Sequence, residues 1–178
     1  MRSLDLSDVR AHHSLAASTL DFRRIAADGF TSVTAYLYVD SPTSSIVKTG
    51  TLTPSDADLR TVASQAAANG LDVHFMVALL DNATNTYRGA YVPHDTDGFF
   101  ASYTASLLHS ADLAEALKVT LFYVGSENEK LARNTPKWLQ VIAVTRKHFT
   151  GVLSYMCTFH SSGDVKFWRA LDLASISP

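Results

Sequence analysis

The chain has 178 residues, 47% of them hydrophobic and 18% charged, which suits one soluble domain with a sizeable core. Fifteen Lys and Arg against seventeen Asp and Glu leave a net charge of −2, without a basic stripe, so no nucleic-acid partner is expected. No run approaches the ~18 consecutive apolar residues of a membrane span, so no membrane partner is expected either.

In chain order, MRSLDLSDVRAHH (1–13) is a lead-in. Its acids and histidines break the apolar stretch that a signal peptide needs, which leaves a cytoplasmic location by default. The His12–His13 pair is too short a motif for a metal site. Residues 14–28 read as a helix with Leu15, Phe22, Ile25 and Ala26 on one face and Gly29 as its stop. FTSVTAYLYVD alternates: Val33, Ala35, Leu37 and Val39 face one way, and Thr34, Tyr36, Tyr38 and Asp40 the other. Tyr36 and Tyr38 either fill a lumen or form a stacking wall for a sugar.

Thr53-Pro54-Ser55-Asp56 predicts a helix start with Thr53 as N-cap and Pro54 at the first helical position. Leu59, Val62, Ala63 and Ala66 are its apolar stripe, and Asn69-Gly70 its end. LDVHFMVALL is a second strand, with His74 packed inside it. A loop holding Asp81, Tyr87 and Arg88 follows, then a helix over about 97–117 that buries Phe100, Tyr103, Leu107, Ala111 and Ala114. The strand over 119–124 stops at Gly125. Asn134 or Thr135, with Pro136, opens a helix carrying Trp138, Ile142 and Thr145. GVLSYMCTF is the next strand, 165–170 a short helical turn, and LDLASIS the last strand. Cys157 is the single cysteine, a small buried hydrophobe, so no disulfide framework, multi-cysteine metal site or cofactor is expected. Trp138 and Trp168 are core anchors, and His160 is a surface loop residue.

Strand, loop and helix recur at roughly forty-residue spacing, the signature of βα units on a parallel sheet. Right-handed crossovers leave an open doubly wound sheet or a (β/α)8 barrel. The strand ends VDSP, LLDNAT, VGSENE and TFHSSG hold no Gly-rich phosphate turn. The Thr, Tyr, Tyr and Asp on one face of FTSVTAYLYVD suit a barrel lumen. The expected fold is therefore α/β, a partial (β/α)8 TIM-barrel of about five parallel strands with flanking helices. Residues 14–178 would form an incomplete barrel domain, since a complete one takes ~250 residues. Its two open strand edges call for a homodimer or a missing C-terminal segment that covers them.

Only three glutamates occur, Glu115, Glu127 and Glu129, against fourteen aspartates. Two of the three follow a buried strand in FYVGSENEKL. Barrel enzymes carry their reacting groups at the C-terminal ends of strands, where Glu127 lies. A partly desolvated carboxylate there can act as a general acid, and glycoside hydrolysis with retention adds a second carboxylate ~5–5.5 Å away. The residues alone leave open whether Glu127 does this or caps the following helix. Glu129 reads as a solvated loop acid. Asp40, Asp81 and Asn128, also at strand ends, are candidate substrate-binding residues.

TPSDADL, NGLDVHFMV, YRG, FFASYTASLL, LFYVGSE, KWLQVIAVTR and FWRALDLASI occur in an order and spacing that resemble the TIM-barrel glycoside hydrolases of family 113, β-mannanase-like enzymes of clan A. The resemblance covers about residues 14–177. It implies retaining hydrolysis of a β-linked hexose polysaccharide of mannan type, with an oligosaccharide or polysaccharide as the partner. The acid/base glutamate of that clan closes the fourth barrel strand, which matches Glu127; the nucleophile closes the seventh, which is not found in this chain. The resemblance adds Arg88 and Phe159 to the candidate substrate-binding residues, Arg88 as a clamp on a sugar hydroxyl or on Glu127. Relatives carry Lys-Pro-His-Val-Asp on the third strand, where this chain has Leu79 in place of the histidine and keeps Asp81. Ser126 replaces Asn or Thr before the acid/base residue. Cys157-Thr158-Phe159 replaces Ala-Asn-Trp, and Leu173-Ala-Ser-Ile-Ser177 replaces Tyr-Ile-Gly-Ile-Asp. The isolated chain is expected to be inactive. The alternatives are a degenerate barrel that binds carbohydrate or a protein without hydrolysis, and an unrelated open-sheet α/β enzyme.

Overall fold

The computed structural model describes residues 30–50, 53–81 and 83–177, with the backbone alone over 30–36. The lead-in, the helix expected over 14–28, His12–His13 and the Tyr36 side chain lie outside the described residues. Among the described residues there are five strands: β1 (Phe30–Val39), β2 (Asp72–Asp81), β3 (Leu121–Ser126), β4 (Val152–Thr158) and β5 (Leu173–Ser177). They form one sheet in the order β1-β2-β3-β4-β5, with every neighbouring pair parallel. Among these described strands the order never reverses, so they contain no switch point of a doubly wound sheet. Sequential order with helical crossovers is the arrangement of a (β/α) barrel, here with five strands.

The helices are α1 (Asp56–Ala68), α2 (Thr96–Ala116), the single turn α3 (Glu129–Ala132) and α4 (Thr135–Thr145). α1 begins later than the sequence suggests. Its N-cap is Ser55, whose hydroxyl accepts from the Asp58 N–H while the Asp58 carboxylate accepts from the Ser55 N–H. That reciprocal pair satisfies two end groups at once. Thr53 instead accepts from the Gly50 N–H at 2.8 Å. Asp95 caps α2 and Asn134 caps α4, with Pro136 in its first turn.

The strand alternation holds where side chains are described. Leu37 and Val39 of β1, Phe75, Val77 and Leu79 of β2, and Phe122 and Val124 of β3 are buried in one cluster with the apolar faces of the helices. Tyr38, Ala78 and Tyr123, of the opposite parity, are buried outside that cluster. Trp138 is the hub: its ring meets Phe100, Tyr103, Tyr155 and Phe167 at 5.1–5.8 Å between centroids. The two outer strands differ. On β1, Tyr38 exchanges backbone hydrogen bonds with Lys48 of its own following loop. On β5, Leu173 and Ile176 are about half exposed. Because all strands are parallel, Asp40, Asp81, Glu127 and Phe159 sit at one rim of the sheet.

Candidate active site

The end of β3 is shaped by an extra residue. Tyr123 aligns with Ser154 and Ser126 with Met156, so three steps on β3 match two on β4. Such a bulge bends the strand and re-aims the residues after it. Gly125 lies inside it for lack of room: a Cβ there would stand 2.7 Å from the Trp138 ring and 3.0 Å from that of Tyr155. Glu127 then adopts φ 53°, a left-handed conformation that strains a non-glycine residue by roughly 1–2 kcal/mol. The strain is held by its neighbours. The Glu127 N–H donates to the Met156 carbonyl at 2.7 Å, and the Asn128 N–H to the Tyr155 hydroxyl at 2.9 Å. Tyr155 is fully buried, and that burial raises its phenol well above the usual value, so it keeps its proton while accepting.

The Glu127 carboxylate faces Arg88 from the turn after β2. Arg88 Nη1 donates to Oε2 at 3.2 Å, and both side chains are about four-fifths buried. Arg88 Nε also donates to the Leu79 carbonyl at 3.2 Å, which pins the guanidinium to the end of β2. One carboxylate oxygen is thus engaged, while Oε1 has no hydrogen-bond donor among the described residues.

The remaining candidates are placed differently. Asp81 is buried and keeps both oxygens for its own loop: the N–H groups of Ala83, Thr84 and Thr86 and the Thr84 hydroxyl all donate to it. Burial raises its carboxyl, but those four bonds outweigh it and hold the value at about 2. Asp40 is exposed and ion-paired with Lys48 at 2.6 Å. Asn128 is buried, and its side-chain Oδ1 and Nδ2 have no partner among the described residues. Phe159 is 66% exposed beside His160. So Arg88 and Glu127 come together, Asp81 turns into its loop, and Asp40 stands off with Lys48. Among the described residues no group of three His, Cys, Asp or Glu is arranged to hold a metal ion.

Glu129 is not the solvated loop acid that its sequence position suggests. Its Oε1 accepts from the Tyr87 hydroxyl at 3.2 Å and from the Thr158 hydroxyl at 2.9 Å. The sequence places Tyr87 in the loop and Thr158 beside Phe159 without a role for either, and the buried Tyr155 beneath them goes unnoticed there. The one signal was Gly89 beside Tyr87 and Arg88, where a Cβ would meet both the Tyr87 ring and the Glu129 side chain.

A family model described as Glycoside Hydrolase Family 113 matches residues 7–178. The structure of a β-1,4-mannanase of that family in a complex matches with a TM-score of 0.83 at 26% identity, covering 89% of this chain and 55% of that one. The family's β-mannanase from Alicyclobacillus acidocaldarius in complex with ManMIm matches with a TM-score of 0.82 at 25% identity, covering 90% and 54%. A chitinase from Chromobacterium violaceum, at 13% identity and a TM-score of 0.54 over 92% and 53%, shares the fold. This chain spans about half the length of these solved structures. No curated protein matches it.

Proposed function

The chain belongs to Glycoside Hydrolase Family 113, and from that premise we propose that it carries the acid/base part of a retaining hydrolysis of β-linked, mannan-type polysaccharide, with Glu127 as the proton donor. The observation that carries this reading is Glu127 itself. It is a strained, largely buried carboxylate at the C-terminal end of a parallel strand, clamped through one oxygen by Arg88 and with the other open. Backbone strain persists where surrounding structure over-determines it, and such positions cluster at reacting sites. The solved family members whose names state β-1,4-mannanase supply the substrate class.

In the proposed reaction the Glu127 carboxyl gives its proton to the leaving glycosidic oxygen, then takes one from the water that releases the sugar. Arg88 fixes the carboxylate so that Oε1 is the atom presented. Asp81 supports the loop that carries Tyr87 and Arg88, Phe159 supplies an apolar contact, and the buried Asn128 amide and exposed Asp40 complete the substrate-facing rim.

A second carboxylate must attack the anomeric carbon. On the described rim, Asp81 is consumed by its loop, Asp40 pairs with Lys48, and Glu129 is held by Tyr87 and Thr158. We therefore expect the 178-residue chain to bind β-1,4-linked manno-oligosaccharides without turnover. The test combines calorimetric binding with release of a chromophore from aryl β-mannoside, for the intact chain and Glu127→Gln. Binding without turnover in either is the expected result. Turnover abolished in Glu127→Gln would keep the acid/base role and overturn the inactivity. Turnover equal in both would overturn the role of Glu127.

A further inference from the structure

Resting on this carbohydrate reading, we propose that Glu129 is a positioning residue: its carboxylate ties the turn after β2 to the corner after β4 and thereby sets Tyr87 and Phe159 as two aromatic walls of one cleft around Glu127.

The tie is made by a single oxygen. Glu129 Oε1 accepts from Tyr87, 42 positions away, and from Thr158, 29 positions away. The Thr158 hydroxyl thus spends its proton on Glu129 and uses its lone pairs for the Ser161 N–H at 3.3 Å, which starts the 3-10 turn Phe159–Asp164. On the other side, a Cβ at Gly89 would stand 2.4 Å from the Tyr87 ring and 3.0 Å from Cγ and Cδ of Glu129. The turn Arg88–Ala90 therefore packs directly on the Tyr87–Glu129 pair, and it is the turn that delivers Arg88 to Glu127.

The rings that this tie holds are exposed. Tyr87 is 47% and Phe159 66% exposed, large rings left at the rim and anchored beneath by one polar network. An anchored ring loses little freedom when a sugar stacks on it, which is the advantage of preorganisation. Tyr87 lies in the field of both acids: burial first, then the charges of Glu127 and Glu129 and the bond to Glu129, against Arg88, push its phenol up to about 12. A glutamate is needed at 129 because the first residue of α3 must reach both corners; an aspartate is one methylene shorter.

The experiment has two independent readouts. In tyrosine labelled with 13C at Cζ, with Tyr87 assigned by Tyr87→Phe, the wild-type phenol titrates near 12, and in Glu129→Gln and Glu129→Ala it moves down. By calorimetry with a β-1,4-linked manno-oligosaccharide, Glu129→Ala weakens binding about tenfold, the size of a lost charge-assisted hydrogen bond. Glu129→Gln, which keeps an oxygen for both donors, stays within about threefold. Tyr87→Phe combined with Glu129→Ala binds no more weakly than Glu129→Ala alone, since both cut the same tie. An unmoved Tyr87 titration, or additive losses in the double variant, would overturn the proposal. If Glu129→Ala fails to fold by near-ultraviolet circular dichroism, Glu129→Gln carries the same titration, with Tyr87→Phe as its assignment. A wild-type chain that binds no manno-oligosaccharide would sink the carbohydrate reading, while the Tyr87 titration would still judge the tie.

Discussion

At the end of β2 the Asp81 carboxylate accepts from three backbone N–H groups and a hydroxyl, all within its next five residues. At the end of β3 the Glu127 carboxylate passes over its own loop and meets Arg88, 39 positions away. Both acids end neighbouring parallel strands on one rim, so position alone does not separate them. Side-chain length and backbone do. A short aspartate closes readily onto the N–H groups two and three residues on. A glutamate launched from a left-handed residue behind a bulge cannot, and it reaches across. Asp81 follows the parity of Val77 and Leu79, toward the helix side, whereas the extra residue in β3 resets the direction before Glu127. One corner is sealed for stability, and the other is kept strained with an oxygen open.

The largest effect should come from removing the space that the β3 corner needs. Gly125→Ala puts a Cβ against Trp138 and Tyr155, and we expect a loss of about 2–3 kcal/mol in urea unfolding. Gly163→Ala, where a Cβ meets nothing within 4 Å, should leave the midpoint nearly unchanged. Equal shifts for the two would mean that the bulge does not depend on that close packing.

Next is the sealed corner. Asp81→Ala frees four donors and should cost on the order of 1–2 kcal/mol at neutral pH. The folded carboxyl, at about 2, lies below its ordinary 3.8. Its stabilisation is therefore complete above about pH 4 and is lost as the pH falls toward 2. Stability measured between pH 5 and pH 2 should drop more steeply for the wild type than for Asp81→Ala. Parallel curves would show that the loop bonds do not favour the charged form.

A smaller loss, about 1 kcal/mol, is expected for Arg88→Met, which keeps the apolar stem and removes the bonds to Glu127 and Leu79. Arg88→Lys should not restore it, because one ammonium cannot serve both acceptors in the fork geometry of a guanidinium. Full stability in Arg88→Lys would make the contact a simple point-charge pair.

Smallest of all is Glu127→Gly. Relief of the left-handed strain and loss of the Arg88 pair oppose each other, and the net change should lie within about 1 kcal/mol of zero. A loss of several kcal/mol would show that the corner is built for stability, as the β2 corner is, and would remove the main contrast between them.

Much of this architecture was legible in the chain. Alternation in FTSVTAYLYVD and the recurrence of strand and helix led to parallel strands in sequence order, because burial on a pleated strand and on a helix leaves periods of two and 3.6 in the residues themselves. Asn134 and Pro136 stand where a helix end lacks partners, which is also a local matter. Glu127 could be singled out because it follows directly on a buried strand in a chain with two other glutamates. Tertiary structure alone decided what the acids do. The bulge turned Glu127 toward Arg88, and Glu129 met Tyr87 and Thr158. Local patterns record which face of an element is buried. The hydrogen bonds of Glu127 and Glu129, however, join residues 29–42 positions apart, and such pairs meet only once the sheet has set the strand ends side by side.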